Sequence, residues 1–167
     1  MTDPRIQAMA ELESWIGEPA GGLPEEFFLF ISRFTPIINV DLWIRDERRG
    51  VLLTWRQDDI YGSGWHIPGG IIRYKETAGA RIRATALAEL GTEVEFDPDP
   101  IAIEQTMRPD HRERGHFISL LYRCRLAGPP DEARRYTQDP PQRDQWAWHA
   151  HCPPDLIPAQ DCYRRFF

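Results

Sequence analysis

Residues 64–91 read GWHIPGGIIRYKETAGARIRATALAELG. A Pro68-Gly69-Gly70 turn feeds an Ala-rich segment that runs to Leu90 and stops at Gly91. Ala, Leu, Arg and Glu favour helix and Gly is the residue on which helices end, so the spacing predicts a helix over 77–90. Gly69 and Gly70 lack a Cβ and let the main chain come close to a ligand. On the helix, Arg81, Thr85 and Glu89 recur every four residues and share one face, while Ile82, Ala86 and Leu90 share the next. A carboxylate on a rigid helix opposite a loop carbonyl is half of a Mg2+ site. Magnesium takes one or two carboxylates and fills its shell with water and substrate phosphates.

Working outward, Pro36 to Arg45 (PIINVDLWIR) and Val51 to Arg56 (VLLTWR) carry the β-branched and aromatic residues of strands, joined by the hairpin loop Asp46 to Gly50. Before them, Pro4 to Trp15 places Ile6, Met9, Leu12 and Ile16 at helical spacing until Gly17 to Gly22 interrupts it. Pro24-Glu25-Glu26 opens a short helix to Phe34, with Pro in the first turn and acids near the positive end of the dipole. QDDIYGSG, residues 57–64, reads as a loop. Downstream come strands at Ala102 to Met107 and His116 to Leu126, then a Pro- and charge-rich excursion from Pro129 to Arg143. A strand at Gln145 to His149 and a C-terminal helix over Pro153 to Phe167 follow. This order predicts an α/β (α+β) fold, a mixed β-sheet packed between helices. With 167 residues there is room for one main domain, residues 23–167, preceded by a helical extension, residues 1–22.

Twenty-six acidic against twenty basic residues give a formal charge of −6, which disfavours nucleic acid as a partner. A small anionic ligand is compatible with that charge, since a few Arg in a cleft act against the global field. No apolar run approaches the roughly 18 residues of a membrane span. The opening MTDPRIQAMAELES carries acids and no apolar secretion signal, so cytoplasm is the expected location. Cys124, Cys152 and Cys162 form no CxxC pair, which argues against a disulfide framework or a zinc ribbon.

The spacing Gly70-x5-Glu76-x7-Ala84-Thr85-Ala86-x-Ala88-Glu89-x-Gly91 resembles the Nudix box, Gx5Ex7REUxEExGU. Gly70, Glu76, Glu89 and Gly91 match, Ala86 stands at the aliphatic position, and Ala84, Thr85, Ala88 and Thr92 replace the rest. Trp65-x-x-Pro68-Gly69-Gly70 just upstream is also typical of that superfamily. A reduced box without those two acids, with a run similar to Ala88-Glu89-Leu90-Gly91, resembles the GDP-mannose mannosyl hydrolases. The similarity extends over residues 23–167, through Pro24-Glu25-Glu26-Phe27 before Thr35-Pro36, Asp41, Leu52-Leu53 to Arg56, Gln142-x-x-x-Trp146-x-Trp148 and the aromatic tail.

The resemblance implies a Nudix α/β/α sandwich and one divalent ion, Mg2+ or Mn2+ in its place, held by Glu89, Gln142 and the Gly69 carbonyl. It implies a nucleoside-diphosphate sugar of the GDP-mannose kind as substrate, with water attacking the sugar C1, and a homodimer. Arg56 takes the place of a phosphate-binding Arg and Asp41 that of a ligand-contacting acid. Ile71 stands where the family has an Arg after the Gly-Gly pair, and Arg73 is the substitute two residues on. Glu76 reads as a structural acid at the helix start. Arg143 occupies the position of the catalytic general-base His, and Arg stays protonated in proteins. The proton acceptor then has to come from elsewhere, with His111 and His116 in DHRERGH as candidates and His66 read as structural. Tyr61 or Trp65 would stack on a nucleobase. Two further functions stay open: a Nudix domain that binds nucleotide without catalysis, and an ordinary Nudix diphosphatase that cleaves P–O.

Overall fold

The computed structural model describes residues 3–59 and 61–167; Met1, Thr2 and Ile60 lie outside the described residues. Ten residues rich in β-branched and large apolar side chains, with Asn39 and Asp41 among them, make β1 (Ile37–Asp46), and a tight turn returns the chain as β2 (Gly50–Asp58). β3 (Gly62–His66), β4 (Gly69–Ile71) and then α3 (Ala78–Leu90) follow, preceded in the chain by α1 (Pro4–Ile16) and α2 (Glu25–Ile31). β5 (Val94–Phe96), β6 (Ala102–Met107), β7 (His116–Leu126) and β8 (Trp146–His149) complete a mixed eight-stranded sheet. Only β1 and β7 run parallel, in register from Ile37↔Phe117 to Ile44↔Cys124. The outcome is the mixed sheet with flanking helices expected from the order of elements.

The sheet splits, and the split makes the cavity. β1 and β2 pair only beside their turn, at Arg45↔Val51 and Asp46↔Gly50. Beyond it they diverge: β4 takes the edge of β1 at Asn39↔Ile71 to Asp41↔Gly69, while β3 and β8 flank β2. Alternation along β1 sends Val40, Leu42 and Ile44 to one face, where they bury Ile82, Ala86 and Leu90 of α3. Trp43 goes to the other face, with Leu53, Trp65, Ile67, Leu121 and Tyr163.

α3 is held at both ends. Thr77 Oγ1 accepts from Ala80 N–H at 3.1 Å, and Gly91 ends the helix at φ 68°, a left-handed position that favours glycine. Replacing Thr77 by Ala is expected to lower stability by about 1 kcal/mol, read as a lower urea midpoint.

Several expectations need correction. QDDIYGSG is not all loop: β2 continues through Asp58, and Gly62-Ser63-Gly64 belong to β3, because pairing with Arg56–Asp58 outweighs the low strand preference of Gly and Ser. β5 arises from a segment too short to show alternation. The C-terminal helix is instead a run of 3₁₀ turns, Pro158–Phe166, kinked at Gln160, since Pro153, Pro154 and Pro158 remove the amides an α-helix would need. α2 stops at Ile31 rather than Phe34. α1 forms as expected, but Ile6, Met9 and Leu12 on it are exposed. No helix among the described residues is long and apolar enough to cross a membrane.

Candidate functional site

Glu89, in the last turn of α3, sits where β1 and β2 part. Its Oε2 accepts from Thr54 Oγ1 on β2 at 2.7 Å, and its Oε1 accepts from Gly69 N–H on β4 at 3.1 Å. One carboxylate therefore bridges the two halves of the split sheet. His66, the cross-strand partner of Thr54, places Nε2 3.5 Å from Oε2. His66 Nδ1 lies 2.9 Å from the Thr54 carbonyl, which only accepts, so Nδ1 donates there, and Nε2 faces Glu89, to which it donates when the ring carries its second proton. Burial works against the charge on Glu89, but the hydrogen bonds from His66, Thr54 and Gly69 outweigh it and hold the carboxyl below its ordinary value. Glu89 is ionised at neutral pH, and its side chain retains 22% exposure.

Asp41 lies across Gly69 from Glu89. It is 2% exposed, and Tyr163 O–H donates to its Oδ2 at 2.5 Å. Burial pushes the Asp41 carboxyl up to about 6, with the charge of Glu89 adding to the rise, against hydrogen bonds from Tyr163 and Asn39 and the nearby His66. The Tyr163 hydroxyl is itself pushed up by burial and by Asp41, which keeps it a proton donor. A Cβ at position 69 would overlap Asp41 Oδ1, so only glycine lets the strand pass between the two acids. Leu42 N–H bonds the Pro68 carbonyl, which makes Asp41↔Gly69 a pair without direct hydrogen bonds. The Gly69 N–H and C=O thus both point away from β1, on the side of Glu89.

Asp41, His66 and Gly69 open onto a cavity of about 950 Å³ between α2, the split sheet and the C-terminal turns, whose wall Glu89 and Thr54 do not themselves line. Asp41, His66, Gly69 and Gly70 line it together with Arg56, Arg73, Arg81, Arg108 and Arg114. Arg81 is engaged by Glu76 at 2.8 Å, and Glu76 also accepts from Arg73 N–H at 2.9 Å, as befits a structural acid at the helix start.

Of the residues singled out in the sequence, Asp41, Gly69 and Glu89 meet, and Arg56 and Arg73 line the same cavity. Gln142 and Arg143 do not line it. They sit exposed in a loop pinned to β2 by Asp144 N–H to Trp55 O (3.0 Å) and Trp55 N–H to Gln145 O (2.7 Å), with Arg143 3.9 Å from Asp144. Among the described residues no group of three His, Cys, Asp or Glu side chains is placed to hold a metal ion. His111 pairs with Asp110 and His116 with Gln105, both away from Glu89, whereas His66, read as structural, stands beside it. Trp65 is buried against Trp55, Tyr136 and His149 and has no face for a base. Thr54 and Tyr163 were also missed; recognising residues 62–66 as a strand pairs Thr54 with His66, whereas no signal in the sequence points to Tyr163.

The chain belongs to the NUDIX domain family, whose model matches residues 35–161. It is 32% identical over 89 residues to the low-salt glycan biosynthesis protein Agl8 of Haloferax volcanii, a match that covers 53% of this chain. The match spans 56% of the length of that relative. Among solved structures, a MutT NUDIX hydrolase from Burkholderia pseudomallei aligns with a TM-score of 0.62 at 19% identity, over 78% of this chain and 97% of that one. A UDP-X diphosphatase aligns with a TM-score of 0.56 at 16% identity, over 99% of this chain and 80% of the other. These two likenesses are of fold.

Proposed function

We propose that this protein hydrolyses a nucleoside-diphosphate derivative, a nucleotide sugar of the GDP-mannose kind being the leading substrate, at the centre formed by Glu89, Gly69 and Asp41. The observation that carries the proposal is Glu89: a partly open, ionised carboxylate on a rigid helix, fixed by Thr54 and Gly69 behind Gly69 and His66, which line a cavity that also carries Arg. The oxygen donors here are a carboxylate, a strand carbonyl on the same side and a second carboxylate behind it. They fit a hard cation that completes its shell with water and phosphate. Glu89 and the Gly69 carbonyl would hold Mg2+ or Mn2+, with Asp41 adding negative charge. Bound there, the ion would supply Lewis-acid stabilisation to the diphosphate.

The remaining steps fall to the chain's own side chains. Arg56 and Arg73 bind and orient phosphoryl oxygens, and Arg does so through a planar, permanently charged fork. His66, oriented by the Thr54 carbonyl, holds or accepts a proton at Nε2 beside Glu89, the role that Arg143 cannot fill. Tyr163 keeps Asp41 turned toward Gly69. Gln142, exposed and outside the cavity, is not placed to join Glu89 and Gly69 as a metal ligand. The name of Agl8, a glycan biosynthesis protein, supports a sugar-bearing substrate.

Thr85 and Ala88, where the box has acids, favour a second reading, a Nudix domain that binds nucleotide without turning it over. A panel of nucleoside-diphosphate sugars and nucleotides with Mg2+ or Mn2+ in ¹⁸O-labelled water separates the cases. Label in the sugar is the expected result. Label in phosphate means diphosphatase chemistry, and binding without product means the second reading.

A further inference from the structure

Two cations of the cavity, Arg108 and Arg114, have no part in that chemistry. The turn between β6 and β7 brings Arg108 and Arg114 beside Arg56, and the three guanidinium carbons lie 5.2, 5.4 and 4.7 Å from the centroid of the Tyr61 ring. Asp58 pairs with Arg56, but among the described residues neither Arg108 nor Arg114 forms an ion pair. Three cations around one ring repel each other, and the faces of Tyr61 and Phe28 offset only part of that.

Arg114 is also held in place. Its backbone sits at φ 52°, uncommon for a residue with a side chain, with its N–H donating to Ser32 Oγ at 3.0 Å. Glu113 next to it pairs with Arg33. The turn is thus fastened to the end of α2. Arg114 Nε is buried and has no hydrogen-bond partner, a donor out of water whose natural complement is an anion. Tyr61 packs on Phe117 at 6.4 Å, and Phe117 pairs with Ile37, four residues before Asp41 in β1. Ile37 and Asp41 are about 13 Å apart along β1, which sets the turn carrying Arg108 and Arg114 off from the acidic centre, with Arg56, two residues from Thr54 on β2, between them. A diphosphate is shorter than that separation.

We infer that Arg108 and Arg114 bind a second anionic group of the substrate, a phosphoryl or carboxylate carried beyond the diphosphate held near Glu89 and Arg56. The substrate class then narrows to nucleotides with an additional charged end, a further phosphate or a sugar acid, over those with a neutral hexose. This rests on the proposed function for the place of bond cleavage and not for binding itself.

Calorimetry on the full chain tests it, with GDP-mannose, GDP-mannuronate and GTP and the uridine set UDP-glucose, UDP-glucuronate and UTP. In wild type, a charged ligand is expected to bind about tenfold or more tighter than its neutral counterpart. The Arg114→Gln and Arg108→Gln variants, each checked for an unchanged unfolding midpoint, are expected to close that gap. Arg108, at the end of β6, provides the test if Arg114→Gln fails to fold. Preference for the uronates or for the triphosphates tells carboxylate from phosphoryl. Equal affinity for charged and neutral ligands, no binding of any ligand, or variants that weaken both alike with the gap intact would overturn it. A charge preference without turnover sinks the hydrolase proposal alone, and turnover without a charge preference sinks this one alone.

Discussion

Replacing Glu89 by Gln is expected to lower kcat/KM for any nucleoside-diphosphate substrate by about a hundredfold or more, while the urea midpoint stays near that of wild type. The asymmetry follows from the partners of the carboxylate. Gln keeps one carbonyl oxygen, which can still accept from Gly69 N–H. Its NH2 then faces Thr54 Oγ1 and His66 Nε2, both of which can accept as well as donate. The bridge across the split sheet survives and only the charge goes. Steady-state kinetics beside an unfolding curve checks both halves. Activity within a few-fold of wild type would mean that Glu89 serves the fold alone.

The second large effect concerns Asp41 and pH. Its carboxyl moves from an ordinary 3.8 to about 6 in the folded protein because burial penalises the charge. The native state thus binds this proton more tightly than the unfolded chain. Stability from this group is intact below about pH 4, declines as pH rises toward 6, and at neutral pH is lower by about 3 kcal/mol. Asp41→Asn keeps an oxygen to accept from Tyr163 and removes the charge. The variant is expected to match wild type near pH 4 and to exceed it by up to that amount at pH 7, measured by urea unfolding across the range. An equal difference at both ends would show that the buried charge is not what the site sustains at a cost.

The helix that carries Glu89 was legible in the sequence because local signals agree there: a Thr cap, an Ala-rich body, a four-residue apolar repeat and a Gly stop. β1, β2, β6 and β7 were legible for the same reason, each being long enough to show alternation. Gly62-Ser63-Gly64 were not, since their strand exists only through pairing with β2, a tertiary effect that local preference opposes. The consequences reached the site. With β3 unread, His66 had no visible partner and looked structural, and the search for a proton acceptor went to His111 and His116. Asp41 was legible as a polar residue inside an apolar strand, a costly placement that usually marks a task. Arg108 and Arg114 were not, because a charged turn between strands looks the same in sequence whether it faces solvent or closes over a cavity. Gln142 and Arg143 show the reverse limit: spacing singles them out, and spacing says nothing of which way their loop turns.

Mn2+ titration followed by electron paramagnetic resonance, with GDP present, compares wild type with Glu89→Gln most directly. The expected result is one bound ion per chain in wild type, largely lost in the variant while GDP is still bound. Equal Mn2+ binding by both proteins, or none by wild type, would contradict a cation centre at Glu89.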